Sequence, residues 1–488
     1  MTDTMLAYLF RAAWGIFLGL MLAGSFKNTW DREHGRKKDR LLERNDTVIL
    51  YDPLVFPVCI AIYAGLLLVT FGQERSRGFT FSLGLDLFLF ISIYFSLVLF
   101  LLPFLRRHYT ARTCAALWLI PVFLFYQPNI MYTSAVLPTK AVFYIPRMAA
   151  DLLLFLWLSG FVLLLLLQVI SHLRFSRMLK AGSRPVEESA LLDLWKRTKQ
   201  ELDIGDLKRP IALRYSPLIR TPLTIGMYRT NWVTYLPERS FSEEEAGLIF
   251  SHELHHIQRH DTHTKFFLKF CCALGWLHPL VWLAVRRAEE DLELSCDEIV
   301  LKDAGPETRR TYADLLLTIA GDARGYTTCL SASAKSLRYR LKSTVSTGKK
   351  RLGLVLLFLI LSVSSMLTGN LSLTSDRGPI AEVAGVGSTD VENVRLLDGD
   401  GRYEQEDIRL QDMDALSRYL ETLQAECFLT LYSDGDELKR PSLYGTFSDT
   451  GERFFLDGDC LTVYSKNGPD LRQYHIYTPP DWDYIRSL

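Results

Sequence analysis

Long apolar runs alternate with short charged stretches along the first third of the chain. The runs lie near residues 5–26, 54–72, 79–105, 114–134 and 149–173, and a sixth near 352–371. Each supplies roughly the 20 residues that a helix needs to cross a hydrocarbon core of ~30 Å. Pro121 and Pro128 interrupt the fourth run, and Arg11 sits in the first, where a long side chain can snorkel toward an interface. Arg11 also breaks the order of a cleaved leader, and no small-residue cleavage site follows cleanly, so the first run is read as a retained helix. The pattern predicts a multi-pass α-helical membrane protein: a membrane domain over 1–173 with about five helices, and a last membrane helix over 351–372.

Orientation follows from basic residues in the short loops. The loop after the first run holds Lys27, Arg32, Arg36, Lys37, Lys38, Arg40 and Arg44, whereas the next holds only Arg75 and Arg77. The third holds Arg106, Arg107 and Arg112, and the fourth Lys140 and Arg147. Loops one and three are therefore expected in the cytoplasm, with the region 174–350 inside and the C-terminal tail outside.

Between the fifth and sixth runs the pattern changes to mixed α and β. Glu187–Leu202 has helical spacing, Ile211–Tyr215 and Gly226–Leu236 read as strands, and Ser216–Thr224 as an irregular turn. Ser242-Glu243-Glu244-Glu245 is a capping box that starts a helix. The apolar stretch 266–285 is too short for two crossings. A single crossing would put His252 and Glu293 on opposite sides of the membrane, so the stretch is expected as a bent, interfacial segment around His278-Pro279.

A linker rich in Ser, Gly and Asp is expected over 373–391, then a small extracytoplasmic α+β domain over 392–488. That domain has a helix at Met413–Leu423 and strands at Cys427–Tyr432, Ser442–Phe447, Arg453–Leu456, Leu461–Tyr464 and Gln473–Tyr477. The chain has no net formal charge, which gives no sign of nucleic-acid binding. The charge is unevenly placed, however: residues 376–488 hold 23 Asp and Glu against 11 Lys and Arg. None of the eight cysteines forms a Cys-x-x-Cys pair. Cys427 and Cys460 fall in the tail and are expected to face each other across its strands as a candidate disulfide.

The chemistry is concentrated in Ser251-His252-Glu253-Leu254-His255-His256. Residues four apart share a helix face, so His252 and His256 can reach one metal ion. Glu253 is placed to take a proton from a water acidified by zinc. His255, His260 and His263 are read as solvated or supporting rather than as ligands. A catalytic zinc needs a third protein donor, and the acidic run Glu289 to Asp297 offers Glu289, Glu293 and Asp297 on one face, with Cys296 as a further candidate.

These motifs together resemble the BlaR/MecR-type membrane metallopeptidases. The resemblance rests on His252-Glu253-x-x-His256-x-x-Arg259-x-Asp261, His278-Pro279-Leu280-Val281-Trp282 and Glu293-x-x-Cys296-Asp297. Ser216 to Gly226, Leu236-Pro237, Tyr312 and Leu315-Leu316 support it, and it covers roughly residues 150–370. It implies a zincin-like fold of the gluzincin type, with Glu293 as third ligand and Asp297 and Asp261 supporting the site. A peptide substrate would add as a strand along Gly226–Leu236, with Gly226 and Tyr228 as contacts. Two features depart from the family: more membrane runs precede the protease, and the tail lacks the Ser-x-x-Lys of a penicillin-binding domain. Ser346-Thr347-Gly348-Lys349 is a coincidental match outside the tail.

The function expected from these residues is a zinc endopeptidase that cuts a cytoplasmic regulatory protein, such as a transcriptional repressor, in response to an extracytoplasmic ligand. Membrane lipid and a second copy of the chain, as a homodimer, are further expected partners. A membrane quality-control or CAAX-type processing protease is one alternative, and a non-proteolytic scaffold with structural zinc another.

Overall fold

A computed structural model describes residues 3–34, 55–126, 141–202, 204, 211–226, 232–321, 334–345, 350–368, 371–375, 377–398, 406–408, 412–427, 441–466 and 471–488. The first apolar run forms α1 (Asp3–Glu33), and the second and third belong to one helical element, α2 (Val55–His108). A straight helix of 54 residues would extend about 80 Å. Yet the Phe56 ring lies 6.2 Å from that of Phe123, while Tyr94 donates its hydroxyl to the carbonyl of nearby Leu117. The element must therefore double back. Its arms correspond to the two expected spans, although the expected break between them is helical.

The fourth run departs from expectation. It forms a short helix, α3 (Ala111–Leu117), capped by Thr110, and then a 3₁₀ segment, Ile120–Tyr126. Residues 111–124 are buried instead of forming a spanning helix. Pro121 accounts for the break, since proline removes a backbone donor and clashes with the preceding turn. Residues 127–134 of this run lie outside the described residues. Strand β1 (Ala141–Tyr144) leads into α4 (Arg147–Ala181), which leaves Met148, Leu152 and Phe155 exposed. Among the described residues, three segments are long and apolar enough to cross a membrane: Tyr8–Asp31, Thr80–His108 and Arg147–Ala181.

The next region places β2 (Arg184–Pro185), α5 (Ser189–Glu201), β3 (Ala212–Ser216), β4 (Leu223–Ile225) and β5 (Val233–Pro237) before helix α6 (Glu243–Gln258). The strands form one sheet in the order β2-β3-β5-β4. Of the expected strand Gly226–Leu236, residues 227–231 lie outside the described residues; Val233–Pro237 is extended but internal to the sheet, and the edge is β4. Thr234, Tyr235, Leu236 and Pro237 are all buried, as befits a strand covered on both faces. Trp195, Leu213, Trp232, Phe250, Leu254 and Tyr312 share the core behind this sheet.

Ser242 and Glu245 close the capping box at the start of α6. The apolar stretch then forms α7 (Asp261–Leu274) and the start of α8 (Pro279–Val300), bent at His278, whose ring caps α8. This hairpin shares one core with the membrane helices, including Phe26, Leu102, Phe267, Leu292 and Leu361. Helices α9 (Pro306–Gly321) and α10 (Ala334–Val345) complete the region, and α11 (Leu354–Leu367) follows. With 14 residues, α11 is about 21 Å long, shorter than the expected last span. It packs against α1 where Gly15 and Gly19 let the two backbones approach, the small-residue contact common between membrane helices.

Beyond α11, β6 (Leu371–Thr374) pairs in parallel with β1. The tail comprises β7 (Arg377–Pro379), α12 (Ile380–Ala384), β8 (Val391–Asp398), β9 (Glu406–Ile408), α13 (Met413–Thr422), β10 (Gln424–Cys427), β11 (Ser442–Phe447), β12 (Arg453–Asp457), β13 (Cys460–Tyr464), β14 (Leu471–Ile476) and α14 (Trp482–Ser487). Its eight strands run β7-β10-β14-β13-β12-β11-β8-β9. Residues 373–391 are therefore not a linker, because β7 and α12 belong to this domain and Ile380, Ala384 and Val386 enter its core.

The tail cysteines do not face each other. Cys427 pairs with Tyr474 and Cys460 with His475, so strand β14 separates them. Two strand spacings amount to about 10 Å, beyond the Cα separation of a disulfide, and Cys460 is a free thiol. Peptide mapping of the unreduced protein should find no Cys427–Cys460 bridge, and detecting one would contradict this strand order. A second prediction concerns α1 and α11. A Cβ on Gly19 would lie 2.6 Å from Ser362 Oγ and 2.8 Å from the Phe358 ring. Gly19→Leu should lower stability by about 1–3 kcal/mol through overpacking, read as a lower Tm in detergent. An unchanged Tm would mean that the helices do not meet here.

Candidate metal centre

Helix α6 presents His252 and His256 one turn apart, both buried. Their Nε2 atoms are 3.1 Å apart. The other ring nitrogens are engaged. His256 Nδ1 donates to Asp261 Oδ2 at 2.7 Å. His252 Nδ1 donates to the Tyr312 hydroxyl at 3.0 Å, and that hydroxyl donates to Asp297 Oδ1 at 2.7 Å. This bonding pattern assigns the ring protons to Nδ1 and leaves each Nε2 with a lone pair directed into one small space. Two lone pairs so close repel unless positive charge lies between them.

Helix α8 brings the acid. Glu293 Oε2 is 3.6 Å from His252 Nε2, and Oε1 is 3.7 Å from His256 Nε2. A tetrahedral ion bound at ~2.0–2.1 Å holds its donors roughly 3.3 Å apart, so the two nitrogens and the two carboxylate oxygens are spaced close to what a chelating set needs. Cys296 is the competitor, since its sulfur groups with the two imidazoles as a possible metal cluster. Its Sγ also approaches the His252 backbone carbonyl at 3.3 Å. Burial opposes its ionisation, but the two imidazoles lower its pKa to about 7, so it competes with Glu293, whose carboxylate faces both Nε2 atoms. Glu289, on the same helix, pairs outward with Lys269.

The electrostatics favour a cation here. Burial opposes the imidazolium of His252, but Cys296 and Glu293 outweigh it and push the pKa up to about 10. Burial likewise opposes ionisation of Glu293, yet Lys265 and His256 hold it well below the usual carboxylate range. Lys265 Nζ donates to Glu293 Oε1 at 2.7 Å.

Glu253 is buried beside this set, and its Oε2 accepts a hydrogen bond from Thr224 Oγ1 at 2.8 Å. Thr224 lies on edge strand β4 and is itself bonded to Thr234 on β5. The sheet thus fixes the direction in which this carboxylate points.

The junction of α6 and α7 explains how Asp261 reaches its histidine. His260 adopts a left-handed backbone, φ 51°, which is strained for a side chain other than glycine. The sharp corner turns Asp261 back toward His256 at the first residue of α7. Arg259 reinforces it, with Nε 3.5 Å from Asp261 Oδ1. On the other side Arg340, from α10, grips Asp297 with bonds of 2.7 and 2.8 Å.

Among the residues singled out from sequence, His252, Glu253, His256, Asp261, Glu293 and Asp297 come together. Gly226 stands at the end of β4, where its carbonyl accepts from Thr262, and Tyr228 lies outside the described residues. Of the extra histidines, His255 is buried and bonded to Gln258, His263 is buried and stacks on Trp232, and His260 is half-buried. Sequence reasoning missed Thr224, Lys265 and Arg340 and noted Tyr312 only as a supporting match. Their contacts arise from packing of distant helices, so spacing gives no sign of them.

Residues 141–344 match the model of the BlaR1 peptidase M56 family. The "Regulatory protein BlaR1" of Bacillus licheniformis is 29% identical over 184 residues, 38% of this chain and 30% of the relative. The "Methicillin resistance mecR1 protein" of Staphylococcus aureus is 26% identical over 168 residues, 34% of this chain and 28% of the relative, and that of Staphylococcus epidermidis matches to the same extent. The chain thus matches less than a third of the length of each. The family match covers the helices and strands that build the site, so over residues 141–344 the chain is similar to the BlaR1 peptidase M56 domain.

Proposed function

We propose that the chain is a membrane-bound zinc endopeptidase that transduces a signal by cutting a cytoplasmic regulatory protein, such as a transcriptional repressor. The observation that carries the reading is the convergence of the two Nε2 atoms at 3.1 Å, with Glu253 held alongside by Thr224. His252, His256 and Glu293 would hold the metal. Zinc there supplies the Lewis acidity that acidifies water and polarises a peptide carbonyl.

The remaining work falls to the chain. Glu253 takes the proton of the attacking water and passes it to the leaving amine. Tyr312 and Asp297 fix His252 in the tautomer that leaves Nε2 free, and Asp261 does the same for His256. Edge strand β4 offers a row of backbone groups to which an extended peptide can add as a further strand. The regulatory role is favoured by the names of the relatives, a regulatory protein and a methicillin resistance protein. One observation favours the quality-control alternative: Leu277, Trp282 and Leu283 are exposed around the tip of the α7–α8 hairpin, an apolar surface suited to a membrane substrate.

Metal analysis of the purified protein should find one zinc per chain. Glu293→Ala should retain far less, and Cys296→Ala about as much as wild type. The opposite ranking would make the cysteine the third ligand. Glu253→Ala should keep the metal while proteolysis falls by several orders of magnitude. The substrate is found by comparing new protein N-termini in cells carrying wild type or Glu253→Ala. Termini in a cytoplasmic regulator are expected. Termini confined to membrane proteins would favour quality control, and none that depend on Glu253 would leave a non-proteolytic scaffold.

A further inference from the structure

The inner end of α1 reaches the metal centre. Glu33, the last residue of α1, has a side chain only 8% exposed and places Oε1 3.8 Å from Arg259 Nε. Its other oxygen pairs closely with Arg112, at the start of α3. Arg259 in turn lies 3.5 Å from Asp261 Oδ1, and Asp261 Oδ2 accepts from His256 Nδ1 at 2.7 Å. Arg259 also donates to Ser295 Oγ on α8 at 2.6 Å.

Four buried charges therefore stand in a row from a membrane helix to an imidazole. Arg112 and Arg259 are both 1% exposed, as is Asp261, so water does little to screen them. The row balances: two guanidiniums face two carboxylates. Removing the charge of Glu33 leaves the two guanidiniums of this row with a single carboxylate, Asp261. Arg259 then draws more strongly on Asp261, in competition with His256 Nδ1. A buried ion pair that loses one partner leaves the other uncompensated, which is far costlier than losing a surface pair.

We propose that Glu33 is a positioning residue for the metal centre, acting through Arg259 and Asp261 on His256. This role rests on zinc being held by His252, His256 and Glu293. It gives α1 a part that the chain's connectivity does not show. Helix α1 is packed along α11 through Gly15 and Gly19, and α11 leads into the tail. A shift of that helix pair would move Glu33 relative to Arg259, and so be felt at His256 without any covalent link between them.

The test is zinc affinity of the full-length protein in detergent, by competition with a calibrated chelator. Changing the partner of a ligand histidine typically costs 10–100-fold in metal affinity. Acting one group further out, Glu33→Gln should cost about 5–10-fold. The pair Glu33→Gln/Arg112→Gln restores the charge balance and should recover most of that loss, which a purely structural defect would not. Glu33→Asp keeps the charge for folding and withdraws it by one methylene. It should lose roughly 2–3-fold and carries the test if Glu33→Gln does not purify folded. Wild-type affinity in both single variants would overturn the inference, as would a double variant no better than Glu33→Gln. Wild type without a zinc site that His256→Ala abolishes would instead overturn the zinc reading, and this inference with it.

Discussion

Two imidazole nitrogens held 3.1 Å apart, both with their outer protons committed, form the constraint on which the site depends. Two facing lone pairs repel, so the pair calls for a proton or a metal ion between them. Each ring is fixed from behind, His256 by Asp261 and His252 by Tyr312 backed by Asp297, and each of these carboxylates is paired with an arginine. The arginines come from different places: Arg259 from the corner after α6, Arg340 from α10. The geometry that favours a cation is thus maintained by buried charge rather than by the two histidines alone.

The same contacts tie the site to the membrane helices. Arg106 and Trp118, on α2 and just after α3, both bond to Asp291 on α8 at 2.7 Å, two residues before Glu293 in the same helix. Ser92 on α2 bonds to His278 at the bend before α8. The helix that carries Glu293 is therefore braced by α2 and α3, and the helix that carries the histidines reaches α1 through Arg259. One apolar core runs through both parts. A displacement of the membrane helices would be transmitted as changes in ion-pair distance, to which buried pairs are steeply sensitive.

Much of this was legible in the sequence, for identifiable reasons. The capping box at Ser242 and the His-Glu-x-x-His spacing are local, so the helix, its cap and the shared face of His252 and His256 followed directly. Asp261 and Asp297 were named as supporting residues through resemblance, and the structure places Asp297 beside His252 and Asp261 beside His256. The failures are non-local. Hydropathy counts residues but cannot see a proline that diverts a run into a buried 3₁₀ segment, as at Pro121. Alternation over Gly226–Leu236 cannot tell an edge strand from an internal one, because that depends on where β4 docks. The two tail cysteines each sit in a strand, but only sheet order reveals that β14 lies between them. Glu33 appears in the sequence as one acid among basic neighbours. Its weight comes from being buried between two arginines.

The chemistry of the site turns on which atoms bind the metal, and the most direct measurement is X-ray absorption at the zinc edge of the purified, loaded protein. With His252, His256 and Glu293 as ligands, the first shell should contain only nitrogen and oxygen at ~2.0–2.1 Å, with the outer-shell scattering of two imidazoles. A sulfur at ~2.3 Å would place Cys296 on the metal instead and contradict the assignment of Glu293 as the third ligand.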